Sequence, residues 1–147
     1  MYVTVNAAMS ADGKLSTRER RQVDISGPAD FERVDKLRAE SDAVMVGVGT
    51  VVADDPSLTI DGEERRERRR EAGRSEQPAR VVADSRIRTP PDAAVLDDAA
   101  ESYLLVSETA PTDFVQQMEK EGATVITAGE NRVDLPAALD QQLIDAA

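Results

Sequence analysis

The residues of this sequence whose types and spacing could do chemistry form a glycine-containing turn followed by acidic side chains. Residues 47–50 read Gly-Val-Gly-Thr after an apolar run, and Asp54 and Asp55 come directly before Pro56. Glycines let a ligand approach the main chain closely, and a helix capped by Thr50 would offer free N–H groups to an anion such as a pyrophosphate. One aspartate could accept a hydrogen bond from a ribose hydroxyl.

The same turn has a plain alternative reading. A dinucleotide-binding fingerprint requires a third glycine, and this chain has Val52 at that position. A Gly-Thr pair before a helix and an aspartate before Pro56 are also ordinary turn chemistry. The local residues therefore leave a nucleotide site and a simple turn both open.

Composition excludes several classes of site. The 147 residues include no cysteine and no histidine. This rules out thiolate nucleophiles, thiolate and imidazole metal sites, and histidine-based triads, so we predict no metal site. The net charge of −11 disfavours nucleic-acid binding, because the phosphate backbone would be repelled. The acidic, lysine-poor composition favours a high-salt cytoplasm, with an ordinary acidic cytosolic protein as the alternative.

We also expect no membrane association. No apolar stretch approaches the roughly 20 residues that a spanning helix requires. The N-terminal residues 1–14 lack the basic region of a signal peptide. The sequence therefore predicts a cytoplasmic location.

Apolar runs and turn signals predict the elements that position the glycine turn. Five strands are predicted, over residues 2–9, 42–48, 80–84, 102–106 and 124–127. Helices are predicted after Ser26 and Pro111, over 135–144, and as a single turn over 51–53. This alternation predicts one α/β domain over residues 1–147 with a mostly parallel sheet flanked by helices. The strand over 42–48 is apolar throughout and is predicted to be central.

Residues 61–76 form a run of mixed charge that contains six arginines. These arginines could form a phosphate-binding patch, but the interspersed glutamates favour a solvated charged surface loop. Glu64 and Arg68 have the spacing of a helical ion pair, so part of the segment could be helical.

Five blocks of sequence occur in an order that resembles a known enzyme family. The blocks are NAAMSADGK (6–14), Ile25-Ser26, Leu37-Arg38-Ala39, GVGTVVADDPSLT (47–59), and VVADS (81–85) with Arg88. They are similar to the reductase domain of riboflavin biosynthesis, which is a stand-alone enzyme in archaea and the C-terminal domain of a bacterial deaminase-reductase. The resemblance implies a dihydrofolate-reductase-like fold and NADPH as cofactor. It also implies a phosphoribosylamino-pyrimidine substrate, whose ribosyl side chain is reduced to a ribityl one.

The resemblance further implies roles for individual residues. The cofactor contacts would be Thr50, Asp54, Arg88, Thr89, Pro90 and Asp134, with Arg88 on the 2′-phosphate because a guanidinium fork fits phosphate. The substrate contacts would be Ser10, Arg38 and Leu58, with Arg38 on the substrate phosphate. Asp12 or Lys14 could assist proton movement, although Asp12-Gly13 also reads as a turn.

Members of the family continue beyond the last predicted helix into further strands and a Gly-Gly-Gly-Thr turn that holds the pyrophosphate. No such glycine cluster occurs in these 147 residues, which correspond to the N-terminal part of the family domain. The expectation is therefore a truncated domain without the C-terminal strands, through which the family largely forms homodimers. Two alternatives remain: a non-catalytic remnant or interaction module, and a related reductase acting on a pterin or folate.

Overall fold

The computed structural model describes residues 2–7, 9, 12 and 27–142. In this part of the chain, strands alternate with helices. The strands are β1 (Ala43–Gly47), β2 (Ala79–Ala83), β3 (Ser102–Val106) and β4 (Thr124–Thr127). The helices are α1 (Pro28–Glu40), α2 (Val48–Asp54), α3 (Glu63–Glu71), α4 (Thr112–Lys120) and α5 (Leu135–Gln142), with a short 3₁₀ helix at Ala94–Leu96.

The strands form one parallel sheet in the order β1-β2-β3-β4. Val44 lies opposite Arg80 in the first pair, and Leu105 lies opposite Ile126 in the last pair. Because all pairs are parallel, the carboxyl ends of the strands lie along one edge. The predicted α/β class with a parallel sheet is confirmed.

Helices cover both faces of the sheet. Side chains alternate between faces along a strand, so neighbouring residues such as Val81 and Val82 join different cores. Val82 packs in a cluster with residues of α2 and α4, and Val81 packs in a cluster with Ala138 of α5. The two cores hold the carboxyl ends of the strands in fixed positions relative to one another.

The predicted strand over residues 2–9 is wrong within the described residues. Residues 2–7 and 9 have no regular structure, and Tyr2 and Val5 are 93% and 86% exposed. β-branched composition favours a pleated, half-buried position, but a strand also needs a hydrogen-bonded neighbour. Residues 2–7 and 9 pair with none of the strands in the described sheet.

β1 has the predicted composition but a different place in the sheet. It forms an edge of the four described strands, and Met45 on it is 44% exposed. The prediction of a central strand is therefore wrong for the described sheet. An apolar run shows that a strand can be buried, whereas its position depends on pairing partners that the run itself does not encode.

The charged segment over residues 61–76 is helical in its central part, as the spacing of Glu64 and Arg68 allows, so the expected loop does not extend over residues 63–71. α3 covers Glu63–Glu71, with the predicted Glu64–Arg68 ion pair at 2.5 Å. Arg69 is only 5% exposed, because its guanidinium binds the main-chain oxygens of Ala39 and Ser41, at the end of α1, among others. The glutamates of α3 are exposed to solvent, whereas the buried Arg69 attaches the helix to the rest of the domain.

The remaining helices lie close to their predicted positions. α1 follows Gly27, which has no side chain that could cap the helix, and the predicted cap Ser26 lies outside the described residues. The predicted helix over 135–144 begins at Leu135 as expected, and residues 143 and 144 also lie outside the described part. None of the described helices is long and apolar enough to cross a membrane.

Candidate functional site

A cleft of about 350 Å³ opens at the carboxyl edge of the sheet. Residues at or after the ends of three of the strands line it: Val48 after β1, Asn131 and Arg132 after β4, and, at the end of β2, Ala83, Asp84, Ser85, Arg86 and Arg88. In open α/β sheets, ligands bind beyond the carboxyl ends of the strands, where the connecting loops diverge. The cleft therefore occupies the position that this architecture commonly uses for a ligand.

The cleft contains three arginines whose side chains have no partner among the described residues. The described chain contains 12 arginines. Nine of them form ion pairs or side-chain hydrogen bonds within the described residues. The other three, for which the described residues provide no side-chain partner, are Arg86, Arg88 and Arg132, and all three line the cleft. Their donors are left for a ligand.

A buried carboxylate shapes the side of the cleft that follows β2. Asp84 is 0% exposed, and its Oδ2 accepts hydrogen bonds from the main-chain N–H of Arg88 at 2.6 Å and of Thr89 at 2.7 Å. The Thr89 hydroxyl donates to the same oxygen at 2.8 Å. The Oδ1 atom of Asp84 is buried and has no hydrogen-bond partner among the described residues. The carboxylate thus closes the turn with one oxygen and leaves the other unsatisfied.

The turn after β2 is also attached to the neighbouring loops. Ser85 accepts hydrogen bonds from the Ser107 main chain and hydroxyl through its carbonyl, and from the Val133 N–H through its hydroxyl. Ile87 in the same turn is 7% exposed and has a φ of +52°, a region that a β-branched residue rarely adopts. The turn is held in one conformation by several contacts.

A glycine shapes the loop that carries Asn131 and Arg132. Gly129 has a φ of +84°, and a Cβ atom there would collide with the carbonyl oxygen of Arg132 and approach the main-chain N of Asp134. Its carbonyl accepts a hydrogen bond from Glu108, in the loop after β3. Only a glycine fits this tight turn, which directs the next residues toward the cleft.

The composition of the cleft fits an anionic cofactor. Three guanidinium groups and the Asn131 amide face a space otherwise lined by the short β2 turn and Val48. Guanidinium groups bind phosphate oxygens through paired hydrogen bonds, so this donor set suits the phosphates of a dinucleotide such as NADPH. The local positive charge contrasts with the net charge of −11 for the whole chain. In the described part of the chain, no group of acidic residues could hold a metal ion.

Arg88 is the predicted cofactor residue that lines the cleft. Thr89 is 4% exposed and its hydroxyl donates to Asp84, so it supports the turn, and the next residue, Pro90, is half-buried. Asp134 is exposed, and its Oδ1 accepts a hydrogen bond from Ala137 N at 3.1 Å, which is the geometry of a cap on α5. Their roles toward a cofactor stay predictions.

Thr50 and Asp54 lie on α2 and do not line the cleft. The helix begins at Val48, two residues earlier than the predicted cap, and no side chain caps its first turn. The prediction that Thr50 caps this helix is therefore wrong, because the chain turns directly from β1 into the helix at Gly47. Both residues are exposed on α2, the helix that follows the carboxyl end of β1. The adjacent Asp55 is structural, since its Oδ1 accepts a hydrogen bond from Ala94 N at 2.8 Å.

Two of the predicted substrate residues, Arg38 and Leu58, lie in a second area, on α1 and in the loop after α2. Arg38 is half-buried, and its Nη1 donates to the carbonyl of Thr59 at 2.7 Å. Leu58 next to it has a φ of +58° and is 3% exposed, so its side chain packs in the core. Asp12 is exposed in a turn, whereas Ser10 and Lys14 lie outside the described residues.

Sequence reasoning missed most of the cleft. Arg86, Asn131, Arg132 and the buried Asp84 are not among the predicted site residues, although Asp84 and Ser85 belong to a block that carries the resemblance. The available signal was the position of a polar stretch directly after the buried strand β2. No comparable signal marks Asn131 and Arg132, because they lie more than 40 residues away from that turn in the chain.

A parallel sheet flanked by helices, with a cationic cleft at the carboxyl ends of its strands, defines an α/β domain suited to a nucleotide-type ligand. Comparison with known sequences then gives the family. The chain belongs to the RibD C-terminal domain family, whose sequence profile matches residues 1–143.

Two archaeal relatives carry the name 2,5-diamino-6-ribosylamino-4(3H)-pyrimidinone 5′-phosphate reductase. The protein of Archaeoglobus fulgidus is 50% identical over 139 residues, which are 95% of this chain and 63% of that protein. The protein of Methanothermobacter thermautotrophicus is 46% identical over 140 residues, which are 95% of this chain and 61% of that protein. The chain thus spans less than two thirds of the length of these relatives.

The fold has a counterpart among solved structures. A pyrimidine reductase-like protein of Corynebacterium diphtheriae superposes with a TM-score of 0.74 at 18% identity, covering 91% of this chain and 57% of that one. At this identity the likeness concerns the fold alone. The predicted dihydrofolate-reductase-like fold, which such reductase domains share, is confirmed.

Proposed function

We propose that this chain forms the NADPH-binding part of a reductase of riboflavin biosynthesis. The enzyme would reduce the ribosylamino side chain of a pyrimidine 5′-phosphate to a ribitylamino side chain. Two relatives at 50% and 46% identity bear the name of this reductase, and the family is that of the RibD C-terminal domain. The observation that carries the proposal is the cleft at the ends of the strands, whose three arginines have no partner among the described residues.

When bound, NADPH would supply the hydride for C1′ of the opened sugar imine, and the imine nitrogen would take up a proton as the C=N bond is reduced. The chain itself mainly binds and orients, because hydride transfer requires no protein nucleophile. Arg86, Arg88 and Arg132 would hold cofactor phosphates, with Arg88 on the 2′-phosphate. Asp12 or Lys14 would supply the proton.

Arg38 is suited to the substrate phosphate. A guanidinium has five N–H donors, and the described residues engage one of those of Arg38, through the carbonyl of Thr59. That bond fixes the direction of the side chain, so the remaining donors are oriented in advance. Leu58 beside it would shape the wall through its strained, buried conformation. Thr50 and Asp54, on the exposed surface of α2, would contact the cofactor from the side of β1.

The proposed function also implies a partner, a cellular location and an oligomeric state. The partner is a small-molecule phosphoribosylamino-pyrimidine, and neither nucleic acid nor a membrane is expected with a net charge of −11. We propose a cytoplasmic location, as the sequence predicts. The homodimer that the resemblance implies stays a prediction, which sedimentation velocity would check.

An assay of NADPH oxidation with the pyrimidine 5′-phosphate tests the function. The proposal expects absorbance at 340 nm to fall only when both compounds are present, and the product to gain two hydrogen atoms by mass spectrometry. Oxidation with dihydrofolate instead would favour the pterin or folate alternative. Binding of neither compound would favour an interaction module.

Arg88→Met provides the first specific prediction. Losing one charge-assisted hydrogen bond to phosphate should raise the Kd for NADPH roughly tenfold and leave the Kd for NADH almost unchanged. Titration followed by nicotinamide fluorescence measures both constants. The control is Arg68→Met, which also removes a positive charge but from an exposed residue paired with Glu64 on α3. Equal losses for both dinucleotides in the Arg88 variant would contradict its assignment to the 2′-phosphate.

A further inference from the structure

The turn after β2 contains two features that reduce stability. The buried carboxylate oxygen Oδ1 of Asp84 lacks a partner among the described residues, and a buried acceptor without a hydrogen bond destabilises a fold. Ile87, three residues on, holds a left-handed φ of +52° that strains a β-branched residue. A turn that served stability alone would need neither feature. Both occur within residues 84–89, which also carry two of the three unpaired arginines of the cleft.

The hydrogen bonds of Asp84 show which part of the turn its buried carboxylate holds. The shortest contact, 2.6 Å, goes to the main-chain N–H of Arg88, the residue whose side chain enters the cleft. The Arg88 side chain is exposed and contacts no partner in the described part of the chain, so its direction depends on its main chain. The main-chain N–H and the hydroxyl of Thr89 donate to the same oxygen, so the residue after Arg88 is held as well. The carboxylate therefore fixes the position of the Arg88 main chain, from which the side chain with the guanidinium extends.

We propose that Asp84 is a positioning residue that sets the cofactor preference of the cleft. By holding the main chain of Arg88 and Thr89, its carboxylate aims the Arg88 guanidinium at the additional ribose phosphate that distinguishes NADPH from NADH. This inference rests on the proposed function, because it presupposes that the cleft holds such a dinucleotide. Asp84 does not touch the cofactor itself.

Two substitutions separate this role from the effect of charge. Asp84→Asn removes the negative charge but keeps an acceptor oxygen for the N–H groups of Arg88 and Thr89. Asp84→Ala removes both the charge and the acceptor. A purely electrostatic role predicts that both variants bind phosphate more tightly, because each removes a negative charge from beneath three arginines. The positioning role predicts that the two variants differ.

The measured quantity is the ratio of the affinities for NADPH and NADH, obtained by fluorescence titration of the 147-residue protein and its variants. We expect Asp84→Ala to lower this ratio at least roughly tenfold, as when one charge-assisted contact is lost, and Asp84→Asn to keep it within about threefold. A loss of stability without a change in binding geometry would not alter the ratio. An unchanged or raised ratio in Asp84→Ala, or an equal fall in both variants, would overturn the proposal.

Amide hydrogen exchange tests the positioning step without relying on the alanine variant to fold. The Arg88 N–H should be protected from exchange in the unaltered protein and in Asp84→Asn, although Arg88 itself is an exposed residue. Rapid exchange in the unaltered protein would overturn the role of Asp84. If the unaltered protein bound neither dinucleotide, the proposed function and the cofactor preference would fail together. A protected Arg88 N–H would then show that Asp84 still orders the turn.

Discussion

The side chain of Arg80 extends from β2 toward the segment before β3, and every one of its N–H donors is used. They bind the Ser102 hydroxyl, the carbonyls of Ala94 and Ala100, and both the carboxylate and the carbonyl of Asp97. A fully buried guanidinium is compatible with a stable fold when hydrogen bonds offset its desolvation. The arginines of the cleft are the opposite case, since the described chain leaves their donors for a ligand.

Arg80→Met should destabilise the fold strongly. The substitution keeps much of the side-chain volume but leaves the carbonyls of Ala94 and Ala100 and the Asp97 carboxylate without their donor. We expect a loss of about 3–5 kcal/mol in the free energy of unfolding, measured by urea denaturation. Arg86→Met, at an exposed arginine without a described partner, should stay within about 0.5 kcal/mol. Equal unfolding midpoints for the two variants would contradict the structural role of Arg80.

The Arg80–Asp97 pair also predicts a pH dependence. The hydrogen bond from Arg80 is the main cause that lowers the pKa of Asp97 below its ordinary value of 3.8, and desolvation opposes it. A carboxyl group with a lowered pKa in the folded state stabilises the protein above its ordinary pKa. That stabilisation is lost as the pH falls through the lower, folded value.

Asp97→Asn should therefore be less stable than the unaltered protein at pH 7. The difference in melting temperature between the two should shrink as the pH is lowered below about 4, because the carboxyl group of Asp97 is then protonated and, like the amide of the variant, uncharged. Thermal melts between pH 7 and pH 2.5 measure this difference. A gap that widens in acid would show that the pKa of Asp97 is shifted in the other direction.

Among the elements, α3 shows that a pattern of charges does not reveal which charged residue is buried. Arg69 Nη1 binds the carbonyls of Ala39 and Ser41, its Nε binds Ser75, and its Nη2 lies 3.4 Å from the carbonyl of Gln77. Burial is the main cause that lowers the pKa of this guanidinium. One arginine thus joins the end of α1 to the segment that leads into β2.

Substituting neighbouring arginines of α3 tests this attachment. Arg69→Met leaves several carbonyls without a donor and should lower the free energy of unfolding by about 2–4 kcal/mol. Arg68→Met lies one position away in the same helix, where the side chain is 70% exposed and pairs with Glu64. It should cost no more than about 0.5 kcal/mol, the value of a surface ion pair. If the two substitutions had equal effects, α3 would behave as the solvated segment that its composition suggests.

Sequence predicts the local elements well where turn residues bound an apolar run. β3 and β4 occupy the predicted residues 102–106 and 124–127, and the glycine at 122 ends α4 with a φ of +91°. Arg69 is different, because the carbonyls that bind it at Ala39 and Ser41 are about 30 residues away in sequence. Periodicity contains no information about such a distant contact.

The candidate site shows the same contrast between residues marked by a local pattern and residues placed by distant contacts. The resemblance names Arg88 as a cofactor contact, and the structure places Arg88 in the lining of the cleft, shortly after a recognisable strand; its contact with a cofactor stays a prediction. Arg132 reaches the cleft only because β4 pairs in parallel with β3 and Gly129 turns the chain back. That position depends on the assembled sheet, so no local pattern could predict it. Thr50 and Asp54 are predicted from the same resemblance, yet their side chains lie on α2 outside the cleft.

For the molecule as a whole, salt should have opposite effects on folding and on binding. The net charge of −11 implies repulsion among carboxylates, which added salt screens. The proposed binding of cofactor phosphates by the three arginines of the cleft would instead be weakened, because screening reduces their attraction for an anion.

Raising KCl from about 0.1 M to about 2 M should therefore raise the melting temperature and increase the Kd for NADPH, since the Debye length falls from about 10 Å to less than 3 Å. Thermal melts and fluorescence titrations on the same samples measure the two quantities. Sodium sulfate should be avoided as the salt, because it strengthens apolar burial independently of charge. Tighter NADPH binding at high salt would contradict a site made by guanidinium groups.

The most direct test of the central claim is a map of backbone amide shifts by NMR during titration with NADPH. The cleft at the carboxyl edge of the sheet predicts the largest changes at residues 85–89 and at Asn131 and Arg132, which line or support it from two separate loops. The exposed arginines of α3 should remain unchanged. Large shifts confined to α3 or to the far ends of the strands, with both cleft loops unaffected, would contradict the account.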